Sequence, residues 1–251
     1  MPSNVDGMRT KYRIAVMDVL NTVSGYVESN VVMKQLAPET PHVTAPTSGS
    51  TTYNMQPRFL ITTSGAPDGR MQRIAVRIDN GAWVDSVSSP DLFSVNGALA
   101  NGVSTIYQPA ALSISAHTAT IKCMNDSGSS AEVTRSFTVA QLAFVPIVQY
   151  VTIVTAAQMN TLHNAVNYIR AFYGQGNMRW VDPIVAGKTQ VRDWPLHVLE
   201  LRSGVEGVIY AVNAFDNVDT FDIPIPSWIA ITGGYPRADV MNQLAQTIQL
   251  L

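Results

Sequence analysis

The residues able to do chemistry are few, and they lie far apart. Four histidines occur, His42, His117, His163 and His197. None has an acidic or cysteine partner at the spacing that a metal-ligand set or a nucleophile–base pair needs. His163 and His197 each fall inside a predicted helix, where a lone histidine reads as a polar-face residue. Cys123 is the only cysteine, so neither an intrachain disulfide nor a cysteine-based zinc site can form. It reads as a small buried hydrophobe. Asp216, Asp219 and Asp222 sit three apart around Asn217. Clustered carboxylates can hold a hard cation such as calcium, but these lack the alternation of an EF-hand loop. A solvated loop explains them as well, and no metal is expected. There is no G-x-S-x-G elbow, no P-loop and no dinucleotide fingerprint. No Asp/Glu pair stands out for glycosidic acid/base work. The expectation is a non-enzyme with no cofactor.

Aromatic residues are the stronger signal. Phe172, Tyr173, Trp180, Trp194, Tyr210, Phe215, Phe221, Trp228 and Tyr235 crowd the last third of the chain. Exposed rings stack on sugars or anchor a protein partner. Tyr173, Trp180, Trp194 and Trp228 are therefore the candidate binding residues. The competing reading places them in the core of a helical module whose helices offer few other large side chains.

The elements that would position these residues fall into three blocks. Residues 8–36 read as a helix, with Ile14, Met17, Leu20, Val23 and Val27 three or four apart. That helix would pack on the C-terminal block or associate with copies of itself as a short coiled coil. Pro38, Pro41 and Pro46, followed by Thr47-Ser48-Gly49-Ser50, read as a linker.

Residues 43–140 read as an antiparallel β-sandwich. Ile74, Val76 and Ile78 alternate with polar neighbours, and Asp79-Asn80-Gly81-Ala82 follows as a hairpin turn before Trp83. Ala119, Ile121 and Cys123 alternate again. Asn125 to Ser130 then turn the chain, and Val133 to Val139 close the pair.

Residues 146–251 read as a small helical module with three degenerate repeats. Thr155 and Gln158 form a capping box. Met159, Leu162, Ala165, Val166 and Ile169 follow. The same offsets recur at Val198, Leu201, Gly204, Val205 and Val208, and at Met241, Leu244, Thr247, Ile248 and Leu251. Each of the last two helices follows an irregular lead-in carrying proline and tryptophan. The predicted fold class is thus multidomain α and β: an N-terminal helix, an immunoglobulin-like sandwich and a helical-repeat module.

Composition narrows the partners. Sixteen Lys and Arg face eighteen Asp and Glu, for a net charge of −2, and only 14% of residues are charged. No basic run tracks a phosphate backbone, so nucleic acid is not an expected partner. No apolar run approaches the ~20 residues of a membrane span. The first residues lack a basic and apolar leader, which leads to an expectation of cytoplasmic synthesis.

Two resemblances sharpen this. The run His117-Thr118-Ala119-Thr120-Ile121-Lys122-Cys123-Met124-Asn125-Asp126-Ser127-Gly128-Ser129-Ser130 resembles the last hairpin of bacterial immunoglobulin-like and fibronectin-type domains. Arg77 to Trp83 resembles an earlier hairpin of the same domains. That resemblance spans roughly residues 43–140 and implies the sandwich. The order of helix, immunoglobulin-like domain and helical repeats, with Val154-Thr155-Ala156-Ala157-Gln158-Met159-Asn160-Thr161-Leu162 in the last, resembles tail-associated minor structural proteins of tailed phages and prophages. It implies a fibre or baseplate appendage in the virion tail. Its partners would be copies of itself (a trimer in a fibre), other virion proteins and a host cell-surface glycan. A bacterial surface adhesin or glycan-binding module is the alternative. An accessory part of a cell-wall enzyme would need a catalytic domain that these residues do not supply.

Overall fold

The computed structural model describes residues 9–10, 13–14, 27–28, 32–33, 37–63, 73–95, 99, 102–125, 128–148, 154–180, 194–216, 218–231 and 237–251. The described residues of the first block are strand, and the helix predicted over 8–36 is corrected there. β1 (Arg9–Thr10) pairs antiparallel with β4 (Val32–Met33), and β2 (Arg13–Ile14) with β3 (Val27–Glu28). The rest of that span lies outside the described residues. The physical reason is in the composition. Thr10, Ile14, Val27 and Val32 are β-branched, and such side chains favour the pleated backbone over the helix. Ile14 and Val27 belong to the helical spacing and also suit a strand.

The sandwich follows. Its strands are β5 (His42–Ala45), β6 (Ser50–Thr52), β7 (Phe59–Thr62), β8 (Arg73–Ile78), β9 (Val84–Asp85), β10 (Phe93–Ser94), β11 (Ser104–Tyr107), β12 (Ala116–Asn125), β13 (Gly128–Ser129) and β14 (Val133–Val139). One sheet has the order β5-β7-β11-β10 and the other β6-β14-β12-β8-β9, with β13 beside β12. The first sheet facing β14-β12-β8 is the strand order of an immunoglobulin-like sandwich.

The segment read as a proline linker is instead the split first strand. β5 pairs antiparallel with β7 in one sheet, while β6 pairs parallel with β14 in the other. Residues 46–49 carry the chain across, and Pro38, Pro41 and Pro46 are all buried. The expected turn after β8 also forms, one residue early. Asp79 and Asn80, at φ 50° and 58°, take the two left-handed positions, and Gly81 donates its N–H to the Ile78 carbonyl at 2.8 Å. Asp79 tolerates this backbone because its Oδ1 accepts the N–H of Thr118 at 2.8 Å.

Three helices complete the chain: α1 (Ala156–Phe172), α2 (Trp194–Asn213) and α3 (Ala238–Gln249). The Thr155–Gln158 capping box is present in both directions, at 3.2 and 2.9 Å. All fifteen apolar-stripe residues named from the three repeats are buried. The position filled by Ala165, Gly204 and Thr247 holds small residues, which lets the helices approach closely. Irregular segments between helices are strapped by side-chain amides in place of strand partners. Asn242 exchanges two 2.9 Å bonds with the main chain of Ile147, and Asn213 does the same with Ile223. Gln243 bonds both Ile229 and Ser227. Buried backbone groups need partners, and these amides supply both a donor and an acceptor.

Sandwich and helices share one core. Phe137 of β14 lies edge-on to Phe59 at 5.4 Å and to Phe172 of α1 at 6.0 Å. Thr47 donates its N–H to the Phe172 carbonyl and its hydroxyl to the Ala171 carbonyl, at 3.1 and 2.8 Å. These are carbonyls that a helix end leaves without partners. The Tyr173 hydroxyl donates to the main-chain oxygen of Leu251 at 2.9 Å.

Gly204 offers a direct test of the helix packing. A Cβ there would sit 2.6 Å from Cγ1 of Val166, a stiff β-branched side chain. Gly204→Ala is expected to lower the unfolding free energy by about 1–3 kcal/mol despite its better helix propensity. Urea unfolding measures this, and an unchanged or raised midpoint contradicts the close approach.

Candidate functional site

The four aromatic candidates do not converge on a site. Trp194 and Tyr173 are buried, at 1% and 3% exposure, so neither ring can stack on a ligand. Both are core residues, because three helices with small residues at their contacts need large rings to fill the remaining space. Trp180 and Trp228 are half-buried. Trp180 stacks on His163 at 4.1 Å. Trp228 donates its ring N–H to Glu206 and lies under the guanidinium of Arg202 at 4.9 Å. Each of these two rings already has a protein partner on one face.

His163 and His197 are not polar-face residues, as their spacing suggested. Both are buried, and their rings lie 5.8 Å apart across the contact of α1 and α2. Among the described residues His163 Nε2 and His197 Nδ1 have no hydrogen-bond partner, and Nδ1 of His197 is 4.0 Å from a Glu200 carboxylate oxygen. Among the described residues no three His, Cys, Asp or Glu side chains are grouped so as to hold a metal ion. Burial, and secondarily His197, pushes His163 down to about 4, so its ring is neutral near neutral pH.

His117 is the opposite case. Burial disfavours its charged form, but the Ser113 carbonyl and the Asp79 carboxylate outweigh that and raise it above its ordinary value. Nε2 donates to the Ser113 carbonyl at 2.8 Å while Nδ1 donates to Asp79 at 2.5 Å. With both nitrogens donating, these contacts favour the charged imidazolium over the neutral ring. It ties the turn after β8 to the start of β12, which is a structural task.

The acidic loop is also structural. Asp216 is buried and accepts the Ser94 hydroxyl from the sandwich, along with the N–H of Val218. Asp219 is exposed in a 3-10 turn, Asp219–Phe221. Asp222 is raised above its ordinary value by burial and then by Asp219 and Asp216, with Arg58 opposing. Asn217 lies outside the described residues.

A cleft the sequence reading passed over lies where α1 meets β6. Asn164, Asn167 and Tyr168 of α1, with Ser50, Thr51 and Asn177, line about 370 Å³. Tyr168 is 49% exposed. Asn167 Oδ1 accepts the N–H of Met178 at 2.8 Å, which fixes its amide. Tyr53, next after β6, is raised by burial and then by Tyr168. Tyr53 lines a second cleft of about 340 Å³ with Asn54, Met55, Ile114, Leu142 and Gln249. The signal was present in the sequence as Asn164, Asn167 and Tyr168, three and four apart on the face of α1 away from its apolar stripe.

No protein-family model matches the chain, and no curated protein matches it. Among solved structures, it is similar to a PKD domain of an M14-like peptidase from a Thermoplasmatales archaeon, at 18% identity over 43% of this chain and all of that one, with a TM-score of 0.31. It is similar to the fibronectin(III)-like modules of Clostridium thermocellum CbhA, at 16% identity over 53% of this chain and 64% of that one, with a TM-score of 0.33. Domains 4 and 5 of the S-layer protein SbsC match at 14% identity over 56% and 74% of the respective chains, with a TM-score of 0.26. The fold assignment rests on the strand order rather than on these likenesses.

The two buried imidazoles predict opposite pH behaviour. His163 is depressed, so its contribution is complete above the ordinary value of 6.5 and is lost as pH falls towards about 4, costing on the order of 3 kcal/mol. His117 is raised, so its contribution is complete below 6.5 and is lost as pH rises through its folded value. His163→Phe, which keeps a ring against Trp180, should flatten the acid side of the stability profile. His117→Gln should flatten the neutral side. Thermal unfolding across pH checks both, and variant curves parallel to the parent contradict the assignment.

Proposed function

We propose that the chain is a non-catalytic structural component of a phage or prophage tail, a fibre or baseplate appendage, that spaces or presents contacts to a host surface or to other tail proteins. The observation that carries this reading is the shared core of sandwich and helices. A module whose two parts are joined by Phe137 against Phe172, Thr47 on the end of α1 and Ser94 on Asp216 holds its surfaces at fixed positions. That suits a part that displays or spaces. The buried histidines and the acidic loop are engaged in packing and cross-ties, which leaves the neutral clefts as surfaces for partners. The resemblance to tail-associated proteins at Val154 to Leu162 supports the same reading, since that run forms the capped start of α1.

In this account the protein is made in the host cytoplasm, resides in the virion tail, and has copies of itself and other virion proteins as partners. Symmetric homo-oligomers are the usual form of such assembly. Light scattering of the full chain at high concentration should give a mass above the monomer, a trimer for a fibre. Neighbouring genes should encode tail tape-measure or baseplate parts. A strict monomer whose gene lies among sortase or secretion genes contradicts the proposal.

A further inference from the structure

We infer that the cleft between β6 and α1 is a binding site for a neutral oligosaccharide. It rests on the reading of the chain as a presenting module and names the class of ligand presented to. A sugar offers two kinds of surface, an apolar C–H face and a rim of hydroxyls that both donate and accept. The cleft matches both. Tyr168, half exposed, supplies a ring for the C–H face. Asn164, Asn167 and Asn177 supply amides, each with a donor and an acceptor end.

Part of this set is already oriented. Asn167 has its oxygen engaged by the N–H of Met178, which leaves its NH₂ as a free donor group of the side chain. Ser50 donates its hydroxyl to the Thr47 carbonyl at 2.6 Å, which leaves that oxygen as an acceptor. Groups fixed before binding lose little entropy on binding. Ala171 leaves room at the base of the cleft, whose volume falls in the range of about 300–1,000 Å³ usual for small-ligand clefts.

Charge decides the ligand class. None of the residues lining this cleft is ionised at neutral pH. A phosphate, a uronic acid or a nucleic acid would find no counter-charge there. An apolar helix would find amides where it needs hydrophobic anchors. A cleft lined by a tyrosine and amides, with no charge, suits a neutral sugar.

The test uses the full chain with maltohexaose, cellohexaose and chitohexaose as probes and hexagalacturonate as the charged control. Backbone amide NMR shifts are followed up to about 10 mM probe, enough to detect weak single-site binding. At least one neutral hexasaccharide should shift the amides of Ser50, Thr51, Asn164, Tyr168 and Asn177, while hexagalacturonate leaves them unmoved. Tyr168→Ala, an exposed substitution, should keep the melting temperature and weaken that binding by about tenfold or more. Asn164→Ala should weaken it as well.

No shift with any neutral probe overturns the inference. Binding that survives both substitutions, or equal binding of the charged control, also overturns it. Loss of saccharide binding with assembly intact removes this inference alone, whereas a monomer that still binds the sugar removes the tail reading instead.

Discussion

Phe137 is the contact on which the rest depends. It sits on β14 with Phe59 across the sandwich on one side and Phe172 of α1 on the other, while His117 packs at 5.6 Å. Phe59 continues to Tyr107 at 5.5 Å and Tyr107 to Phe93 at 4.8 Å. Phe172 continues to Tyr173 at 5.1 Å. A ladder of rings therefore runs from the far sheet into the helices without a break. Aromatic burial contributes more per residue than any other side-chain class, and edge-on geometry adds about 0.5–1.5 kcal/mol per pair. The buried residues of the two parts form one cluster, with Phe137 packed on Phe59 of the opposite sheet and on Phe172 of α1. Polar ties then fix the orientation, with Thr47 on the end of α1, Arg58 on the Phe221 carbonyl and Asn54 on the Leu250 carbonyl.

Long irregular segments lie against the helices, and their N–H and C=O groups meet Asn, Gln and Arg side chains on the helices instead of neighbouring strands. An amide offers a donor and an acceptor at low desolvation cost, whereas a charged group in the same place would have to be paired. The same chemistry reaches the surface at the cleft beside Tyr168. A structure held by neutral amides presents neutral amides, and that links the fold to the class of ligand proposed for it.

Much of the fold was legible in the sequence. The sandwich was visible where alternation was strong, at β8, β12 and β14, and the helices where three stripes repeated with the same offsets. The split first strand was hidden because its residues are prolines and small polar groups. Its pairing depends on partners far along the chain, β7 and β14, which local pattern does not reveal. At the described N-terminal residues helical spacing misled, because Ile14 and Val27 suit a strand as well as a helix face. Site residues were harder. The largest rings drew attention, and Trp194 and Tyr173 proved to be core. Tyr168 was overlooked because one exposed tyrosine among asparagines looks like ordinary surface until β6 is seen beside it. His163 and His197 are 34 positions apart, and only the crossing of α1 and α2 brings them together.

Sandwich and helices are joined through Phe137 and Phe172 and should unfold as one unit. Calorimetry of the full chain, compared with guanidinium unfolding followed by tryptophan fluorescence and by far-ultraviolet circular dichroism, addresses it most directly. The account predicts one transition, coincident in both probes, with calorimetric and van't Hoff enthalpies equal. Two separated transitions, with the helical signal lost while the sheet signal persists, would contradict it.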